Sequence, residues 1–128
     1  MAKEQAPSHL DLAIAPKPES VAQARGAARE FLRHADREEL TADVTIVVSE
    51  LVTNAVLYAP GPIRLNLRWR AGTLHIEVHD TSPERPSARD TQSALERNGR
   101  GLIIVNALAR EWGSHLTPQG KLTWAHLG

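Results

Sequence analysis

Four groups of residues carry side chains or backbone that could do chemistry. Glu50-x-x-x-Asn54 places a carboxylate and an amide four residues apart, which on a helix brings both side chains into one space. Asp80 follows Leu74, Ile76 and Val78 at two-residue spacing, so on a strand it joins the same inward row. Gly99-Arg100-Gly101 precedes an apolar stretch. Glycines at a helix start leave backbone N–H groups open to an anion, aided by the helix dipole. His75-x-Glu77-x-His79 sets two imidazoles and a carboxylate on one strand face. Each has a plainer reading. The Glu50–Asn54 stripe would be a thin solvated strip between two packed faces, Asp80 a cap on the turn at Thr81-Ser82-Pro83, and Gly99-Arg100-Gly101 an ordinary turn. For the histidines the plainer reading is preferred to a metal: they form an outward row opposite Arg64, Arg68 and Arg70, where Glu77 pairs across the strands.

The elements that must position these groups follow from periodicity. At about 100° per residue, Val44, Val47, Val48, Leu51, Val52, Ala55 and Val56 fill one arc of a helix over residues 40–59, with Ile46 and Leu57 on the far side. A helix apolar almost all round is a buried one. Asp43, Glu50 and Asn54 fall in one narrow stripe on it, and polar groups so placed need partners, since unpaired burial costs about 1–3 kcal/mol each. A bound ligand could supply them. Ahead of it, Leu10, Leu12 and Ile14 alternate as a first strand. A helix follows from a capping box at Ser20-Val21-Ala22-Gln23 to about Ala35, with Gly26 marking a close approach. Asp36 to Glu39 is a charged connection. Pro60-Gly61-Pro62 stops the buried helix. Ile63 to Arg70 and Leu74 to Asp80 alternate as a hairpin turned at Ala71-Gly72. Residues 81–98 lack any period, and a loop of that length is either a functional lid or disordered. Leu102, Ile103, Val105, Ala109 and Trp112 line a last helix closed by Gly113, and a final hairpin turns at Pro118-Gln119-Gly120. The order β-α-α-β-β-lid-α-β-β, with mostly antiparallel strands and helices on one face, is an α+β two-layer sandwich.

Composition narrows the classes. At 128 residues the chain suits one domain, here a loose tail over 1–8 and a single unit over 9–128. Fifteen basic residues balance fifteen acidic ones, unlike a generic nucleic-acid binder. The absence of cysteine rules out disulfides and thiolate metal sites. With neither a signal peptide nor an uninterrupted apolar run of membrane-spanning length in view, the expectation is a cytoplasmic protein touching neither membrane nor nucleic acid.

Taken in order, Glu50-x-x-x-Asn54, Asp80 and Gly99-x-Gly101 resemble the N, G1 and G2 boxes of the GHKL ATP-binding superfamily. Within it, Ser49-Glu50-Leu51-Val52-Thr53-Asn54-Ala55-Val56, Gly99-Arg100-Gly101-Leu102-Ile103-Ile104-Val105 and the ending from Trp112-Gly113 to Gly120-Lys121-x-x-Trp124 look like the small bacterial anti-sigma factor serine/threonine kinases of the RsbW and SpoIIAB type. The resemblance implies a Bergerat-type ATP-binding fold with ATP and Mg²⁺ as cofactors. It implies that Asn54 ligates Mg²⁺, that Glu50 is the general base toward a serine or threonine hydroxyl, and that Asp80 accepts from the adenine amino group. Ser82, Gly99, Arg100, Gly101 and Leu102 would complete the nucleotide site, with 81–98 as the ATP lid.

The implied function is an ATP-dependent protein serine/threonine kinase acting as an anti-sigma factor. It would bind a sigma factor and phosphorylate an anti-anti-sigma antagonist of the STAS type on serine. Relatives pair as homodimers through the sheet, which makes the Arg64-Arg68-Arg70 row a candidate contact. Two departures stand out. Asp80-Thr81-Ser82-Pro83 has none of the glycines that follow the superfamily's aspartate, and Tyr58 stands where many relatives carry histidine. The first motivates a rival: a non-catalytic ATP-binding module that sequesters a partner. A third reading, a histidine kinase catalytic domain, expects a preceding helical dimerisation segment, whereas only residues 1–19 precede the first expected helix.

Overall fold

In the computed structural model the described residues are 8–59, 61–82 and 101–128. Five strands, β1 (His9–Ile14), β2 (Ile63–Arg70), β3 (Thr73–Asp80), β4 (Glu111–Thr117) and β5 (Gly120–Leu127), form one sheet in the order β1-β2-β3-β5-β4. All its pairings are antiparallel. Among the described residues the helices α1 (Glu19–His34), α2 (Thr41–Tyr58) and α3 (Gly101–Leu108) join it, with a short 3₁₀ turn at Glu38–Leu40 before α2. The α+β two-layer architecture, and the order of the elements among the described residues, are those expected from the alternation of periods.

The core lies between the helices and one sheet face. Alternation sends Ile63, Leu65 and Leu67 of β2 and Leu74, Ile76 and Val78 of β3 inward, where they meet Val44, Val47, Val48, Leu51 and Val52 of α2, Ala24, Ala28 and Leu32 of α1 and Val105 of α3. Each such side chain removed from water contributes roughly 1.5–3 kcal/mol. By length and composition residues 38–58 could cross a membrane. An unbroken apolar run was the wrong measure of that, because the segment's few polar residues are spread along it. Its most apolar face is instead spent on this core.

Several local expectations are corrected. α1 has no capping box: Pro18, with φ −55°, sits at the N-cap and Ser20 lies buried inside the first turn. The turn is nucleated by backbone instead, Ser20 N–H donating to the Lys17 carbonyl at 3.0 Å. Proline already holds the φ a helix start needs. Gly26 is exposed, with open space where a Cβ would stand, so it marks no close approach. α2 is not buried all round, since Ile46 and Leu57 are 41% and 54% exposed. α3 ends at Leu108, and Trp112 and Gly113 belong to β4. The apolar period continues past the helix because an inward strand residue, Trp112, takes it over. Its indole N–H donates to Asn106 Oδ1 at 3.0 Å and so ties β4 back to α3.

The close approach lies elsewhere. A Cβ on Gly120 would stand 2.2 Å from the Asp80 carbonyl oxygen and 2.6 Å from Thr81 Cα. Only glycine lets the β4–β5 turn press on the end of β3. At the Ala71-Gly72 turn both residues take positive φ, 50° and 81°. That is the twist a two-residue hairpin asks for.

Candidate nucleotide site

α2 carries Glu50 and Asn54, both half-buried. Their stripe runs along the margin of the core: Val47 on one flank is fully buried, whereas Ile46 and Leu57 on the other face out. Asp43, at the start of the stripe, is exposed. Arg25 of α1 donates to Ser49 Oγ at 3.3 Å and fixes the turn of α2 that presents Glu50. Among the described residues no side chain or backbone group hydrogen-bonds the Glu50 carboxylate or the Asn54 amide. Burial without a compensating partner pushes the Glu50 pKa above the ordinary 4.5, because desolvation disfavours the charged form. A carboxylate raised in this way and left unpaired is suited to take up a proton.

The end of β3 forms the second part. Asp80 is buried in the inward row, as its spacing predicts. Its Oδ1 accepts the Ser82 backbone N–H at 2.8 Å, so the turn-capping reading also holds. The two are not exclusive: a carboxylate has two oxygens, each able to accept more than one donor. Oδ2 faces Lys121 Nζ at 3.6 Å, the two side chains being 2% and 8% exposed. Lys121 enters through register, since it sits directly opposite Asp80 on β5. The strand end is held from a third side, where Gly61 N–H donates to Thr81 Oγ1 at 3.0 Å. This links the exit of α2 to the strand that carries Asp80.

α3 opens at Gly101, with Leu102 and Val105 turned into the core and Ile103 half exposed. Gly99, Arg100 and residues 83–98 of the expected lid lie outside the described residues. So does the tail over 1–7. Lys121 is the residue that motif reading passed over. Alternation along β5 sets it in the buried row with Thr123, Ala125 and Leu127, and a lysine in such a row is the signal that would have found it.

On the opposite sheet face, Arg64 pairs with both oxygens of Asp11 at 2.9 Å rather than with Glu77, which has His79 Nε2 3.7 Å away. β1 lies alongside β2 and brings the competing carboxylate. Among the described residues no set of three histidine or carboxylate side chains is placed to hold a metal.

The model of the histidine kinase-like ATPase domain matches residues 14–127. The chain belongs to that family. It is an ATP-binding domain of the GHKL type, and its five-stranded antiparallel sheet with helices on one face is the architecture such a domain has. No curated protein matches the chain. The residues of this ATPase domain fit a bound nucleotide in two respects. A buried acceptor at Asp80 lies beside the Lys121 ammonium, and an acid–amide pair without a hydrogen-bond partner among the described residues stands on α2. Asn54 offers a single amide oxygen, a hard donor suited to an ion that takes its remaining ligands from phosphate and water.

Proposed function

We propose that this ATPase domain is a protein serine/threonine kinase of the anti-sigma factor type, resembling the RsbW and SpoIIAB kinases. In this reading it works in the cytoplasm. It holds a sigma factor and phosphorylates a STAS-type antagonist on serine. Asp80 accepts from the adenine amino group, with Ser82 and Leu102 flanking the nucleotide. Gly99, Arg100 and Gly101 bring donors to the phosphates, and Asn54 holds Mg²⁺. The ion supplies charge neutralisation at the phosphates when bound. Glu50 would take the proton of the incoming hydroxyl as its oxygen bonds to the terminal phosphorus and the bond from that phosphorus to the bridging oxygen breaks, with ADP leaving.

The observation that carries the reading is the Glu50 carboxylate: half-buried, without a partner among the described residues, and raised in pKa by burial. Transfer of labelled phosphate to a cognate antagonist protein is the test. Glu50→Ala should lower it by about 100-fold or more, the scale of a lost general base, while nucleotide affinity changes little.

A binding module without phosphotransfer is the second reading. Asp80 favours it, because Oδ1 already accepts the Ser82 N–H, Oδ2 faces Lys121 and no glycine follows directly in Asp80-Thr81-Ser82-Pro83. Tight ATP binding in calorimetry with no transfer to any antagonist would decide for that alternative.

A further inference from the structure

The outward sheet face holds a pairing of side chains for which nucleotide chemistry has no use. His75 on β3 and His126 on β5 stand directly opposite each other, and their rings lie 3.8 Å apart with 37° between their planes. The spacing His75-x-Glu77-x-His79 sets two imidazoles on one strand, yet positions four apart there lie about 13 Å from each other. The sheet brings the second imidazole from the neighbouring strand instead. Glu111 of β4 stands opposite His126 on its other side, and His126 Nδ1 lies 3.1 Å from Glu111 Oε1. An ionised carboxylate only accepts, so Nδ1 carries the proton and donates it to the bond, and Nε2 keeps its lone pair.

Two imidazoles whose Cβ atoms are roughly 5 Å apart across an antiparallel pair are able to set one nitrogen each about 2.0–2.1 Å from a single ion. We propose that His75 and His126 chelate a divalent late transition-metal ion, of the zinc or copper kind, through one nitrogen each. Only two protein nitrogens converge, so water fills the remaining positions on this open face. Imidazole suits these metals, and the Glu111–His126 bond is the carboxylate–histidine pairing that orients metal-bound imidazoles and raises their basicity. Arg68, opposite His75 on β2, is the charge that works against a cation here, and Glu77 and Glu111 on the same face offset it. The site lies across the sheet from Glu50 and five residues along β3 from Asp80. An ion held there clips β3 to β5 and stabilises the folded chain by mass action.

Titration of the full chain with zinc, followed by calorimetry in the absence of nucleotide, is the test, and its outcome does not depend on the kinase reading. His75→Gln and His126→Gln should each weaken the tightest zinc binding by at least about tenfold, and Glu111→Ala by about 10–100-fold, the scale of a lost orienting partner. His79→Gln and His115→Gln should bind as wild type does. Excess zinc should raise the Tm of wild type and leave that of His75→Gln unmoved. If His75→Gln binds zinc as tightly as wild type, or His79→Gln weakens binding as much, the pair is not the site. With copper in place of zinc, the electron paramagnetic resonance spectrum of wild type should show two coordinated nitrogens. A spectrum with one nitrogen or none overturns the chelate, even where the variants do not fold.

Discussion

Glu50 has a consequence that can be measured without any substrate. Its pKa is raised by burial, so the folded chain holds that proton more tightly than the unfolded one. Stability from this group is therefore present below the ordinary value of 4.5 and is lost as pH rises through the folded value. Glu50→Gln keeps the shape and removes the charge. Its Tm should exceed that of wild type by a few degrees near pH 7, and the gap should close near pH 4, roughly where the unfolded carboxylate protonates. If the acid also serves as base, phosphotransfer by wild type rises with pH across the same raised window. Periodicity made Glu50, Asn54 and Asp80 visible, because a polar residue in an apolar row is conspicuous in one dimension. Lys121 was hidden because its significance depends on which strand lies beside β3. Nothing in the order of the chain says that β5, rather than β4, is that neighbour.

Elements were legible where a period ran for several turns and poorly legible at their ends. α1 shows the limit: Ser20 and Gln23 have the spacing of a capping box, but Pro16 and Pro18 preset a backbone turn that starts the helix before Ser20 can cap it. Two glycines then behave in opposite ways. Gly26 is an exposed helical position with open space at its Cβ. Gly26→Ala should raise stability by about 0.5–1 kcal/mol, through better helix propensity and a less free unfolded chain, read as a higher denaturation midpoint at an unchanged slope. Gly120 has backbone of Asp80 and Thr81 where a Cβ would go, and backbone cannot step aside as a flexible side chain can. Gly120→Ala should destabilise by about 2–4 kcal/mol, at the severe end of single substitutions. It should weaken ATP binding as well, because the displaced strand end carries Asp80.

At the scale of the whole molecule, formal neutrality conceals a polarised sheet. The inward face is apolar except at its Asp80–Lys121 end and at the paired Ser114 and Thr123 beside it, whereas the outward face gathers His75, His79 and His126 among Arg68, Arg70, Glu77 and Glu111. The His75 and His126 rings lie 3.8 Å apart. Burial, then the neighbouring His126 and Arg70, hold the His75 pKa below the ordinary 6.5, with Glu77 working the other way. The folded chain therefore binds this proton less tightly than the unfolded chain. The associated stability is present above 6.5 and is lost as pH falls from there through the lowered folded value. His75→Gln should flatten the decline in Tm between about pH 7 and pH 5, measured by calorimetry with wild type alongside. The bond from the Trp112 indole to Asn106 bears on the same scale. It couples a natural fluorophore on the outermost strand to the helix that begins at Gly101. Any shift of that helix on taking up a triphosphate must stretch or rotate this link, so the chain carries its own optical gauge of closure, readable from emission without a label.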